Sequence, residues 1–562
     1  MKLHIQGKNQ VDLTQKDFLT SGGEGSIYAK GGTAFKVYND PKKMIPVGKI
    51  QELSCLTHPN IIKPEDILID PKNKPVGYTM RFVNDTYALC QLFTKSFRDR
   101  NSITPDMILD LIRKLQEMIK HVHDHNILIV DLNELNFLTS NDFKDIYAID
   151  VDSYQTSHFP ATALMESVRD RHNKTFSTLT DWFAFAIVSF QLFIGIHPYK
   201  GKHPQLKNID DRMMKNISVL NKEVNVPAVC YPFSVIPQVY LDWYRAVLEK
   251  GDRVAPPNDL HAVATLVQTI KKMAGSNNFD IQEMGSFAMP ILDVLFSAGL
   301  QIVSTTNELH MGRDKTPIPT GSSIVTSPKC NNVVAASVSR RKLKLFNATA
   351  REIIDLPIEA ESVMSYGNRL YVKSATHVLE VQFSNEAIGG KGMVASTMTV
   401  ANVLEKATTM YEGVVFQNLL GSVWVSIFPE SNSHLQVKIP ELDDYKMVDA
   451  KYDSGVLMVI GGNKSGSYDK LVFRFDNSSY DLRIVKDITP AGLNFVVLDN
   501  GICVHLNEEE NIEIFSKKKD SAGLNIIDDP EITGDMRLFK MGVKVLVARG
   551  EKLYSLTMKK RP

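Results

Sequence analysis

Asp131-Leu132-Asn133-Glu134-Leu135-Asn136 sets a carboxylate and a carboxamide in one short loop, with four residues between them. Fourteen residues after Asn136 comes Asp150-Val151-Asp152, behind the strand-like run Ile146-Tyr147-Ala148-Ile149. An Asp can accept a hydroxyl proton. An Asn and an Asp joined by a short hairpin can offer oxygen ligands to Mg²⁺. Together these groups could transfer a phosphoryl group from a nucleotide. The first Asp would accept or orient the acceptor proton, and the Asn and second Asp would hold metal against the phosphates. D-x-x-x-x-N alone recurs by chance, so its weight depends on the segments around it.

Those segments form an ordered set. Ser21-Gly22-Gly23-Glu24-Gly25-Ser26-Ile27-Tyr28 lies between two strand-like runs, and small residues there let backbone N–H groups approach phosphates. Thr33-Ala34-Phe35-Lys36-Val37-Tyr38 reads as a strand carrying one Lys. Leu56-Thr57-His58-Pro59-Asn60-Ile61-Ile62 and the strand Gly77-Tyr78-Thr79-Met80-Arg81-Phe82-Val83 follow. Downstream, Asp181-Trp182-Phe183-Ala184-Phe185-Ala186 opens an apolar helix ending near Gly195. Then come His197-Pro198-Tyr199-Lys200-Gly201, and Arg253 ahead of Pro256-Pro257.

In this order, over about 250 residues, the chain resembles a protein kinase. Gly-Gly-Glu-Gly-Ser-Ile-Tyr, Asp-Leu-Asn-Glu-x-Asn, Asp-Val-Asp-Ser-Tyr and His-Pro-Tyr-x-Gly are similar to a divergent family of bacterial and phage kinases. Its members often sit beside phosphatase and von Willebrand-type partners. The resemblance covers roughly the first half of the chain. It implies an α+β bilobal kinase-like domain that uses ATP and Mg²⁺. Asp131 would be the catalytic base, Lys36 the phosphate-pairing lysine, and Asn136 and Asp150 the metal ligands. Gly22, Gly23 and Gly25 would line the phosphates, Met80 would lie on the strand entering the interlobe hinge, and Glu52 would pair with Lys36. Asp181 would hold the catalytic-loop backbone, and Glu166 would pair with Arg253.

Four departures matter. Thr20 stands where the first loop glycine is usual, which makes a stiffer loop. Ile129-Val130-Asp131 replaces His-Arg-Asp, so no cation is present to grip a loop phosphate. Glu52 lies closer to His58-Pro59-Asn60 than usual, and Lys49 falls nearer the expected slot. Asp152 replaces the usual Gly, as a further metal ligand or as a cap for the next turn. His123, Asp124 and His125 suggest a metal site, but neighbours at this spacing on a helix face different ways.

At 562 residues the chain is too long for one core, and about three domain units is a fair prior. Net charge is zero, so neither a nucleic acid nor a membrane surface is expected as partner. Five scattered Cys without C-x-x-C spacing fit a reducing cytoplasm rather than a disulfide framework or a zinc site. Met1-Lys2-Leu3-His4-Ile5-Gln6-Gly7 has no signal-peptide core. The run Trp182–Ile194 is too short to span a bilayer.

The second half changes character. A helical patch over Asp259–Met273 ends in Gly275-Ser276-Asn277-Asn278, which reads as a linker. Beyond Met289, short runs rich in Val, Ile, Leu and Phe alternate with Gly, Asn and Asp, the pattern of β-strands. Strand pairs begin near Leu292, Ile324, Val363, Met410, Met447, Phe495 and Leu538. A spacing of about 40 to 50 residues is the period of a propeller blade and predicts six or seven blades; one or two β-sandwiches are the alternative. No Gly-His…Trp-Asp signature accompanies the repeat. The expected organisation is multidomain: a kinase-like domain over 1–275, a linker over 276–288 and a separately folding all-β propeller over 289–562. The expected activity is that of a Ser/Thr protein kinase. The propeller would recruit a protein substrate or partner, since it shows no cluster of His, Asp or Glu with ligand spacing. A pseudokinase scaffold is the alternative.

Overall fold

The computed structural model describes residues 1–258, 275–297, 299–327, 332–385 and 393–559. The helical patch expected over Asp259–Met273 lies outside them. The chain has an N-terminal α/β region and a large C-terminal all-β region of small sheets.

The first region opens with seven strands: β1 (Lys2–Ile5), β2 (Gln10–Asp12), β3 (Phe18–Ser21), β4 (Gly25–Lys30), β5 (Thr33–Tyr38), β6 (Ile67–Ile69) and β7 (Pro75–Arg81). They form one sheet in the order β2-β1-β6-β7-β5-β4-β3. Lys36 of β5 faces Ile27 of β4 and Tyr78 of β7 in register. Two glycines permit this close pairing. A Cβ on Gly25 would lie 2.4 Å from the Val37 carbonyl oxygen, and one on Gly77 would lie 2.0 Å from that of Lys36. A short helix, α1 (Val47–Leu53), buries Lys49, Ile50 and Leu53.

The rest of this region is mainly helical. After β8 (Thr86–Ala88) come α2 (Lys95–Arg100) and α3 (Pro105–Asp124). Pro105 occupies the first turn of α3, and the Thr104 hydroxyl accepts the Met107 N–H, a combination that favours helix initiation. Ile108, Leu111, Ile112, Leu115, Ile119 and Val122 recur at helical spacing and are buried. The hairpin β9 (Phe137–Ser140) and β10 (Ile146–Ala148) follows. The helix α4 (Thr178–Ile194) starts on a Ser177/Thr180 capping box, stops at Gly195 with φ +84°, and is buried from Asp181 to Ile194. Among the described residues no helix is long and apolar enough to cross a membrane.

Among the described residues the all-β region forms seven four-stranded antiparallel sheets. The seven starts read from the sequence fall in their first strands or, for Leu538, in Met536–Met541 of the sheet that joins the two ends of the β region. That sheet pairs Phe279–Ser286 with the last strand, Lys552–Met558. The stretch 276–288, expected as a linker, therefore contributes a strand. Its lead-in is also tied down. The Asp529 carboxylate accepts hydrogen bonds from the Ser276 hydroxyl (2.9 Å), the Asn277 N–H (3.1 Å) and the Asn278 N–H (2.8 Å).

The two regions share part of their interiors. Leu92, Phe93, Leu132, Phe185 and Phe193 share one hydrophobic core with Val448, Met458, Ile460, Tyr468, Phe495 and Phe515. Polar contacts reinforce it. Buried Asp449 accepts from Ser96 (2.8 Å) and Arg100 (2.9 Å), and Lys200 donates to the Ile488 carbonyl (2.8 Å). A cavity of about 1210 Å³ lies between α2 and the strands that begin the sheets. This shared core departs from the expected separately folding β unit.

Candidate active site

Asp181 organises the loop that carries Asp131. Its carboxylate accepts the N–H groups of Ile129 (2.8 Å) and Val130 (2.9 Å), and it also bonds the His123 ring at 2.9 Å. Val130 has φ +64°, an unfavourable conformation for a β-branched residue. The two bonds from Asp181 hold it there. His123 thus serves the loop from α3, while Asp124 bonds Lys120 on the surface of the same helix.

Asn136 donates through Nδ2 to the Asp131 carbonyl (3.0 Å) and carboxylate (3.1 Å). This orientation leaves the Asn136 Oδ1 as a free acceptor. The other oxygen of Asp131 accepts the Met165 N–H at 2.6 Å, and Asp131 is 7 % exposed. The segment after Asp150 therefore lies directly over Asp131.

Lys36 and Asp150 meet at 3.4 Å. Asp150 sits at φ +60° on a turn that aims its carboxylate at the β5 face. Lys36 is surrounded by carboxylates: Asp152 at 2.6 Å, Glu24 at 3.2 Å and Asp150. Burial opposes its charge, but Asp152 and then Asp150 outweigh it and hold the ammonium above its ordinary pKa. Burial and the neighbouring Asp152 push Asp150 up, while Lys36 pulls it down. Burial opposes the Asp152 charge, but Lys36 holds the group below the carboxylate range. Asp152 Oδ2 also accepts the Tyr38 hydroxyl at 2.9 Å. Its Oδ1 has no partner of hydrogen-bonding geometry, although Tyr78 acts on the carboxylate.

Glu52 does not pair with Lys36. It bonds the ring of His158 at 2.6 Å. The reason is helical phase: Lys49, Ile50 and Leu53 form the buried face of α1, and Glu52 lies about 100° around from its centre. Gly22 and Gly23 have open space where a Cβ would project, and Gly22 N–H closes a tight turn on the Gly25 carbonyl at 2.9 Å. Only Gly25 of the three is required by a close approach. Met80 pairs with Ala34, so by strand alternation it shares the Lys36 face.

The Glu166–Arg253 pair is also replaced. Arg253 makes two bonds of 2.7 Å to buried Asp170 and stacks its guanidinium over the Phe183 ring at 4.5 Å. Glu166 pairs with Arg171 on the surface. Asp170→Ala strands a half-buried guanidinium, so it is expected to lower unfolding free energy by about 3–5 kcal/mol. Glu166→Ala is expected to cost under about 1 kcal/mol. Urea denaturation of the two full-length variants checks the contrast, and equal midpoints would contradict it.

Glu134, inside the Asp131 loop, is 2 % exposed and accepts a hydrogen bond from the Tyr468 hydroxyl of the β region. Burial pushes its pKa up, and the Tyr468 bond opposes this. Beside it, the turn before Tyr468 presses on the segment covering Asp131. A Cβ on Gly466 would lie 2.0 Å from the Ser167 hydroxyl and 2.6 Å from the Met165 sulfur. Sequence reasoning missed Glu24, Tyr38, Asp170 and the Glu134–Tyr468 contact. Asp152 left a signal as an acid where a glycine is usual, but its partner was not legible.

No family model matches the chain. Among curated proteins, it is similar to the protein kinase YegI of Escherichia coli O157:H7, 22% identical over 282 residues. The likeness is to a protein kinase. The matched stretch covers 44% of this chain and 43% of that relative, less than half of either. This distant similarity supports a kinase-like family for the chain.

Proposed function

We propose that this chain is a Ser/Thr protein kinase that binds Mg-ATP between the β1–β7 sheet and the helical part of its N-terminal region. The observation that carries the reading is the meeting of Lys36 with Asp150, beside a loop whose backbone Asp181 holds at Ile129 and Val130 and in which Asn136 bonds Asp131. Carboxylates of Glu24, Asp150 and Asp152 crowd the Lys36 ammonium. A polyanionic nucleotide entering there needs a divalent cation to offset the repulsion. Asn136 Oδ1 and the Asp150 carboxylate are hard oxygen donors that fit Mg²⁺. Bound there, Mg²⁺ would neutralise phosphate charge as it develops. Lys36 would orient the phosphates once Glu24 swings away, and Asp131 would accept the proton of the acceptor hydroxyl. Among the described residues no group of three or more His, Cys, Asp or Glu forms a metal cage. A site completed by an amide and nucleotide phosphates is consistent with that.

The seven sheets, with one closed by strands from both ends of the β region, support a seven-bladed propeller. Contacts of Ser323–Ser327 with Ser362–Tyr366, and of Ile291–Ser297 with Met536–Met541, support a ring in which neighbouring sheets adjoin. In this reading its outer surface recruits a protein substrate or partner, and the enzyme works in the cytoplasm. Asp150→Ala is expected to abolish Mg²⁺-dependent ATP binding. Calorimetry showing unchanged Mg-ATP affinity would remove Asp150 from the metal site and weaken the kinase reading.

One observation favours a second reading, a nucleotide-binding scaffold without transfer. The Met165 N–H occupies the Asp131 carboxylate that an acceptor hydroxyl must reach. Phosphoryl transfer therefore requires the 165–167 segment to withdraw. ATP turnover by the full-length chain distinguishes the two readings.

A further inference from the structure

The buried counter-ion of Lys36 arrives on an unexpected element. Helix α1 lies against the 151–153 turn, but its inward face carries Lys49, Ile50 and Leu53 and no acid. Lys49 is 1 % exposed and donates to the Pro160 carbonyl at 3.3 Å. The helix thus brings a second cation into the neighbourhood, and the anion comes from the turn itself. Asp152 is 3 % exposed, and its 2.6 Å contact is the shortest of the three ion pairs Lys36 makes. The Lys36 ammonium lies 5.2 Å from the Tyr38 ring centre and 5.8 Å from that of Tyr78. These rings and the Asp152 carboxylate leave the amine little rotational choice.

We infer that Asp152 is the positioning residue for Lys36, taking the role expected of a glutamate on α1. The inference rests on the kinase reading for its catalytic meaning and on geometry alone for the ion pair. It has a structural consequence. Asp152 lies two residues beyond Asp150 on one turn. The lysine and the proposed metal ligand are therefore set together when that turn forms, and no movement of α1 is needed to complete the pair. Asp152 acts through Lys36 and does not itself hold metal or nucleotide.

The test is a double-mutant cycle in the full-length chain with Lys36→Met and Asp152→Asn. Asp152→Asn is expected to lower kcat/KM for Mg-ATP at least about tenfold, with Asp152→Glu recovering part of the loss. Added to Lys36→Met, the same substitution should lower kcat/KM no further, because its effect passes through the missing amine. A further tenfold loss in the double variant would make Asp152 an independent metal or nucleotide ligand and overturn the inference. So would wild-type kinetics in Asp152→Asn. Thermal unfolding without nucleotide gives a readout that does not depend on activity. Lys36→Met strands the Asp152 charge, so the double variant should melt above Lys36→Met alone; an equal or lower melting temperature overturns the pairing. If the parent chain neither binds nor turns over ATP, the kinase reading fails, and the melting cycle still decides the pair.

Discussion

Asp131→Asn is expected to slow phosphoryl transfer by about a hundred- to ten-thousandfold, the usual contribution of a positioned general base. Mg-ATP affinity should stay within about twofold of the parent. The substitution suits the site because a carboxamide oxygen can still accept the Met165 N–H that Asp131 accepts at 2.6 Å. Its neighbour Asn136 keeps its bond to the residue 131 carbonyl at 3.0 Å. The second oxygen of residue 131 becomes an NH2 and loses the Asn136 Nδ2 donor it accepted at 3.1 Å, so thermal unfolding, expected to stay close to the parent, separates loss of the base from a disturbed loop. Single-turnover assays with a protein acceptor measure the rate, and calorimetry measures the affinity. Parental transfer by the Asp131→Asn variant would remove Asp131 from the base role.

The second large effect is on folding. A fragment containing only residues 1–258 is expected to be unfolded or aggregated under conditions where the full chain is folded. Its core is shared: Phe93 packs edge-on against Tyr468 with ring centroids 6.5 Å apart, and Leu132 lies in the same cluster as Met458 and Phe495. Each apolar side chain returned to water costs about 1.5–3 kcal/mol, so about half a dozen match the whole stability of a typical domain. The cut also removes Tyr468 from the buried carboxyl of Glu134 and separates Arg100 and Ser96 from Asp449. Size-exclusion chromatography and thermal circular dichroism provide the check. A monomeric fragment with a cooperative melt near that of the full chain would show that the interface is dispensable.

The shared core also shows why linker composition misleads here. Gly275-Ser276-Asn277-Asn278 has that composition, but composition does not show that Asp529, some 250 positions later, collects three of its polar groups. The β pattern was readable because alternation along a strand is a local property. The seven starts coincide with strands for the same reason. Closure of the sheet by Phe279–Ser286 against Lys552–Met558 is a non-local pairing, and it could be anticipated only as a topological expectation.

The site divides along the same line. Residue types and short-range spacing make the groups available: Lys36 on a strand, Asp131 and Asn136 in one loop, Asp150 after a hairpin, and Asp181 at the head of a buried helix. Short-range geometry carries these, because a loop or a hairpin places its side chains relative to one another with few alternatives. Tertiary structure alone decided which groups pair. Glu52 and Glu166 are acids at plausible positions, yet Asp152 and Asp170 take Lys36 and Arg253. A buried ion pair forms where desolvation is repaid by a close, well-oriented partner, and that choice depends on helical phase and turn geometry across elements distant in the chain. The Glu134–Tyr468 contact and the Met165 cover over Asp131 also join segments that only the packed fold brings together.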